Sequence, residues 1–223
     1  MTAPRPGNPS HLIDTIQSYL KEFPDDSNHP LFKRMKMIVF THFSFHETYF
    51  KAKNLLKDNK KANEFLKWVQ LDGDTYNQRL HFSKAIALAS NSFDSRYIAL
   101  IEDDFPLCEG KWSTFMRALY QLQLESPDHC SLFIGTGGRQ TIANTLSNLL
   151  VNESNYPTDV ILQKCLRGHF QECSSCKMVA TKTLLMYHVG YNTSTMNSRL
   201  YGQEQFQCGW RHPFNGELDV RIV

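Results

Sequence analysis

The chain of 223 residues has no long apolar run. Its apolar strings are short, such as Ile98-Ala-Leu-Ile101, against the ~18 consecutive apolar residues that carry a helix across a bilayer. The first ten residues, MTAPRPGNPS, hold three prolines and no apolar stretch, so no secretory signal is readable. The expectation is a soluble chain, with any upstream membrane anchor, and the membrane contact it would bring, lying outside it. Charge of one sign is also lacking. The net charge is +2 and no basic stripe is visible, which argues against a nucleic-acid partner. There is no internal repeat and no low-complexity tract. There is no phosphate-binding loop either: Gly135-Thr-Gly-Gly138 lacks the Walker lysine and serine, and lacks the dinucleotide glycine spacing.

What is present suits one α/β domain over residues 1–223, with an ordinary 41% hydrophobic and 21% charged residues. Strand and helix signals alternate, which predicts a mostly parallel central sheet flanked by helices. Ser10 is placed to cap a helix whose apolar face is Leu12, Ile13, Ile16, Tyr19 and Leu20. Residues 36–40 read as a short buried strand. Residues 46–69 read as helical, broken near Lys57–Lys61, and 77–90 as a second helix with Phe82, Ala85, Ile86 and Ala89 on one face. Residues 96–101 read as a central parallel strand, since they are continuously apolar after Arg96. A helix over 112–122, a strand over 131–134, a tight turn at Gly135–Gly138 and a helix to about Leu150 follow. Pro157 opens a helix through Cys165, because proline is tolerated in a first turn. Residues 178–186 are apolar with a mixed signal. Beyond Gly190 the chain is polar, with Phe206, Trp210 and Phe214 as aromatic anchors.

Six cysteines form an even set, which permits disulfides in an oxidising lumen. The run Cys165-x3-His169-x3-Cys173-x2-Cys176 has residue types that suit Zn²⁺. Its spacing is unusual for a zinc module, however, so disulfides are the favoured reading. Asn152-Glu-Ser and Asn192-Thr-Ser are N-glycosylation sequons.

The chemistry concentrates at Glu102-Asp103-Asp104. Three adjacent carboxylates at the end of an apolar strand repel one another and lose hydration. A divalent cation relieves both penalties. Mg²⁺ and Mn²⁺ take oxygen ligands, commonly one or two carboxylates plus substrate phosphates. Open α/β sheets bind ligands beyond the carboxyl ends of their strands. The plain alternative is a solvated acidic turn before the helix at Trp112. His188 alone reads as a core histidine, and Asp159 alone as an acid placed by the dipole of a helix start.

The strand-Glu-Asp-Asp element resembles the Asp-x-Asp-type motif of glycosyltransferases with the GT-A fold. Leu184-Leu-Met-Tyr-His188-Val-Gly190, followed by Asn192-Thr-Ser-Thr195, is similar to an element of the branching N-acetylglucosaminyltransferase IV family. Pro157-Thr-Asp159-Val-Ile-Leu resembles the stretch supplying the acidic catalytic residue there. Thr2-Ala-Pro-Arg5-Pro-Gly, the helix ending in Ser18-Tyr19, and Glu102-Asp-Asp look closer to fungal relatives of the transferase that adds N-acetylgalactosamine to GPI-anchor mannose.

The resemblance implies a GT-A fold and transfer of a sugar from a UDP-sugar to a glycan or glycolipid acceptor, with Mn²⁺ or Mg²⁺, in the Golgi or ER lumen. It implies that Thr2, Pro4 and Arg5 line the nucleotide pocket from the end of a first strand. Glu102 and Asp104 would hold the metal, with Asp103 beside them and His188 as a late metal or diphosphate ligand. Gly135–Gly138, Gly137 and Gly138 among them, would floor the donor and acceptor sites. Asp159 would be the general base. Two features depart from the family. The transmembrane hairpin of the GPI-modifying relatives is missing, and Arg139-Gln140 stand where small or apolar residues are expected. A catalytically degenerate relative that binds carbohydrate or a partner, and a metal-dependent phosphoesterase, are the competing readings.

Overall fold

The computed structural model describes residues 1–73, 77–127, 129–134, 136–189 and 207–223. It is a mixed α/β chain with short strands, many of them paired in parallel. The chain forms two compact units built from interleaved segments.

The first unit comprises residues 1–75, 102–112 and 186–205. Its opening helix α1, His11–Glu22, buries Leu12, Ile13, Ile16, Tyr19 and Leu20, the face that helical spacing predicts. Ser10 stands at its N-cap, but its hydroxyl donates to the Asp14 carboxylate at 2.6 Å instead of capping a backbone amide. Strand β1, Met37–Thr41, becomes fully buried over its last three residues. The chain then makes helices α2, Glu47–Leu55, and α3, Lys60–Phe65, before strand β2, Leu66–Gln70. β1 and β2 pair in parallel, Met37 opposite Leu66 through Thr41 opposite Gln70. Sequence periodicity suggests helix through residue 69. The structure corrects this, since the aromatic and β-branched pair Trp68-Val69 pairs with β1. Asn59 accounts for the helix break, its side chain accepting from the Ala62 amide at the start of α3. Phe23, Phe32, Phe65 and Trp112 form an aromatic core, with centroids 5.2–5.4 Å apart along the contacts.

The second unit comprises residues 76–101, 113–185 and 206–223. It contains α4 (Gln78–Ser92), β3 (Tyr97–Leu100) and most of α5 (Trp112–Glu125). β4 (Ser131–Phe133), β5 (Thr136–Arg139), α6 (Gln140–Asn152) and α7 (Thr158–Leu166) follow, then β6 (Met178–Ala180) and β7 (Val220–Ile222). β4, β6 and β7 form a parallel sheet in that order. β3 departs from expectation: it pairs antiparallel with β5, Ile98 opposite Gly138 and Ala99 opposite Gly137. Its partners at those positions carry no side chain to cover it, and Ala99 is exposed. The expected tight turn at Gly137 and Gly138 is therefore a strand, while Gly135 lies outside the described residues. The expected single central sheet is, among the described residues, three small sheets. Ile86, Leu122, Leu150, Ile161, Leu166, Met178 and Leu185 are buried at this unit's core.

All six cysteines are in disulfides, Cys165–Cys173 and Cys130–Cys176 among them. The zinc alternative thus loses its thiolates. Gly168 turns between the cysteines at φ +78°, and a Cβ there would lie 2.9 Å from the Cys176 carbonyl oxygen. No helix among the described residues is long and apolar enough to cross a membrane.

Candidate functional site

The acidic triplet belongs to the first unit, and its backbone is held there on two sides. The Thr15 hydroxyl of α1 donates to the Asp103 carbonyl at 2.8 Å, and the Ser18 hydroxyl accepts from the Leu107 amide at 2.9 Å. From the other side the Val189 amide donates to the Asp104 carbonyl at 3.0 Å, and Leu107 bridges Met186 antiparallel. These bonds explain why polar residues of α1 sit on its buried face. They also bring His188, 84 residues downstream, onto the triplet.

The side chains form one network. The Thr2 hydroxyl donates to Asp103 Oδ2 at 2.7 Å. Having spent its proton, it accepts from His46 Nε2 at 2.7 Å. That assigns His46 as the Nε2-protonated neutral tautomer, and burial keeps it neutral, with its pKa lowered to about 4. Arg5 Nη2 lies 2.6 Å from Asp103 Oδ1 and 3.1 Å from Asp104 Oδ2. His188 Nε2 also meets Asp104 Oδ2, at 2.9 Å, and its ring stacks on Phe105 with centroids 4.8 Å apart and planes 11° from parallel. The stack fixes the direction in which the imidazole points.

Electrostatics separates the three acids. Burial raises the Glu102 carboxyl to about 7, and the charges of Asp104 and Asp103 push the same way. Burial also works against charge on Asp104. There the hydrogen bond from His188 and the Arg5 guanidinium outweigh it and hold the carboxyl below its usual range. Asp103 and Asp104 are both buried, at 6% and 2% exposure. Asp104 Oδ1 accepts no hydrogen bond among the described residues. A buried carboxylate oxygen without a donor is costly unless something positive reaches it.

The network brings together Thr2, Arg5, Asp103, Asp104 and His188 from three separate stretches of the sequence, with Glu102 as charged neighbour. Pro4 is half-buried and has no side-chain polar atom to offer. Thr2 lies beside a strand instead of ending one, its amide donating to the Phe40 carbonyl at 3.0 Å. Asp159 belongs to the second unit, exposed in the first turn of α7. Gly137 and Gly138 are in the second unit too. Gly190, Asn192–Thr195 and Phe206 lie outside the described residues. His46, Thr15 and Phe105 were missed by sequence reasoning. His46 and Thr15 sit in no motif and only the folded chain shows their proximity, while Phe105 follows the acidic triplet directly and only its stacking on His188 needs the fold.

The donor set fits a hard divalent cation in part. Asp104 Oδ1 and the Glu102 carboxyl are oxygen donors of the right kind. No three His, Cys, Asp or Glu side chains among the described residues converge as a ready cage. A cation bound here would thus complete its shell with phosphate oxygens and water, the usual habit of Mg²⁺. No family model, curated protein or solved structure matches the chain.

Proposed function

We propose that the chain is a glycosyltransferase domain of GT-A type that moves a sugar from a UDP-sugar to a glycan or glycolipid acceptor. N-acetylgalactosamine or N-acetylglucosamine is the expected sugar, GPI-anchor mannose a candidate acceptor, and the Golgi or ER lumen the expected place. The observation that carries the reading is Asp104 Oδ1, a buried carboxylate oxygen with no described donor inside a cluster of three acids. Mn²⁺ or Mg²⁺ held at Asp104, with Glu102 nearby, would offset the charge of a departing nucleoside diphosphate. Arg5 and His188 orient the Asp104 carboxylate through its other oxygen. Thr2 and Arg5 hold Asp103. In this reading Asp159 takes the acceptor hydroxyl's proton, which needs a carboxylate within hydrogen-bond reach of that oxygen.

Calorimetric titration of UDP with Mn²⁺ and then with EDTA tests the reading. Binding only with metal, lost in Asp104→Asn, supports it. Asp159→Asn should keep that binding and lose turnover of the correct UDP-sugar.

A specific observation favours a second reading, a degenerate relative that binds carbohydrate without transfer. Arg5 already places a positive charge on both Asp103 and Asp104. This reading predicts glycan binding that is indifferent to EDTA and no release of UDP.

A further inference from the structure

We propose that Asn152 is an N-glycosylation site, carrying an oligosaccharide added in an oxidising lumen. Two independent observations meet there. The first is compartment: every one of the six cysteines is in a disulfide, the state that persists in secretory and extracellular environments and not in a reducing cytosol. The second is local. Asn152-Glu153-Ser154 is a sequon without proline at its middle position. Asn152 is the last residue of α6, and Asn152, Ser154, Asn155 and Tyr156 are exposed before α7 begins.

The surroundings leave room for a sugar and give it something to cover. Val151 is 56% exposed and Tyr156 37% exposed, apolar surface flanking the sequon on either side in sequence. Lys164 Nζ sits 4.6 Å from the Tyr156 ring centroid and helps hold that ring in place. The Glu153 backbone is fixed: its amide donates to the Leu149 carbonyl at 2.8 Å, and the Arg79 guanidinium donates to its carbonyl. The sequon is therefore presented at a defined helix end, and no core side chain must move to accommodate a glycan. In the transfer, Asn152 Nδ2 forms a bond to the anomeric carbon of a lipid-diphosphate-linked oligosaccharide. The bond from that carbon to the phosphate oxygen breaks, the lipid diphosphate leaves with the electron pair, and the amide releases one proton.

The inference does not depend on the proposed activity. It is tested by expressing the full chain behind a cleavable signal in a eukaryotic secretory host, with Asn192→Gln in the background so that only one sequon is read. Peptide mapping before and after peptide-N-glycosidase treatment should show Asn152 glycosylated and then converted to aspartate. Asn152→Gln and Ser154→Ala should each abolish the glycan, and Ser154→Thr should retain it. Secreted chain with blocked cysteines and unmodified Asn152 overturns the site. Chain with free thiols and unmodified Asn152 overturns both the compartment argument and the site.

Discussion

The chain builds the same constellation twice, once inside the first unit and once on the surface of the second. In the first, Arg5 bridges Asp103 and Asp104, and His188 shares Asp104. In the second, Arg167 bridges Asp219 and Glu217, and His169 shares Asp219. Each is one guanidinium, two carboxylates and one imidazole at ordinary ion-pair distances. They differ in water. Asp103 and Asp104 side chains are 6% and 3% exposed, Asp219 and Glu217 36% and 50%. In water the Arg167 fork satisfies Asp219, whose pKa is pulled down to about 2 by that hydrogen bond. In the buried copy a third acid, Glu102, is added and one oxygen of Asp104 is left over. Burial turns a surface ion pair into a cluster in which one carboxylate oxygen meets no described donor.

The largest expected contrast lies in the arginines. Arg5→Met removes the guanidinium shared by two buried carboxylates, leaving Asp103 with the Thr2 hydroxyl and Asp104 with His188, and should destabilise the protein by about 3–5 kcal/mol in urea unfolding. Arg167→Met should cost no more than about 1 kcal/mol. Equal losses would break the comparison.

Glu102 gives the next effect, read as stability against pH in EDTA. Its folded pKa of about 7 lies above the ordinary value of 4.5, so the folded state holds a proton that the unfolded chain has released across that window. Its contribution is full below pH 4.5 and is lost as pH rises through 7. Glu102→Gln should therefore gain about 3 kcal/mol on wild type between pH 4.5 and pH 8. In wild type this loss is masked, because His46 has the opposite sign. Its folded pKa is depressed to about 4, so stability tied to it grows as pH rises from 4 to 6.5. A variant whose advantage shrinks with pH would show that the surroundings of Glu102 do not raise its carboxyl.

The smallest contrast is between the histidines. His188→Ala removes a hydrogen bond to a buried charge and should cost roughly 1.5–3 kcal/mol. His169→Ala, at the exposed copy, should stay within about 0.5 kcal/mol of wild type. Thermal or urea unfolding of the two single variants decides it.

Sequence reading located helices well where a strong apolar face sets the period, as in α1 with Leu12, Ile16 and Tyr19. It placed β1 and β4 from short β-branched and aromatic runs. It failed at β3, where apolarity was mistaken for a central position. A pairing partner such as Gly137-Gly138 cannot be read from the strand itself. It also failed at β2, because Lys67-Trp68-Val69 follows a helix without a turn residue to mark the change. In the site, Glu102–Asp104 was legible because charge directly after an apolar strand is costly. Arg5 and His188 were reached only through resemblance to a family. His46 and Thr15 were invisible, since each does its work across long sequence separations and through a single hydrogen bond.

The most direct test of the central claim is whether Asp104 holds a cation that in turn holds a nucleoside diphosphate. Titration of UDP into the full chain with Mn²⁺, with EDTA, and into Asp104→Asn with Mn²⁺ reads this in three experiments. The account predicts saturable binding in the first and none in the other two, with Arg167→Met binding like wild type. Binding of UDP that is equal with Mn²⁺ and with EDTA, or no binding by folded protein in any condition, would contradict it.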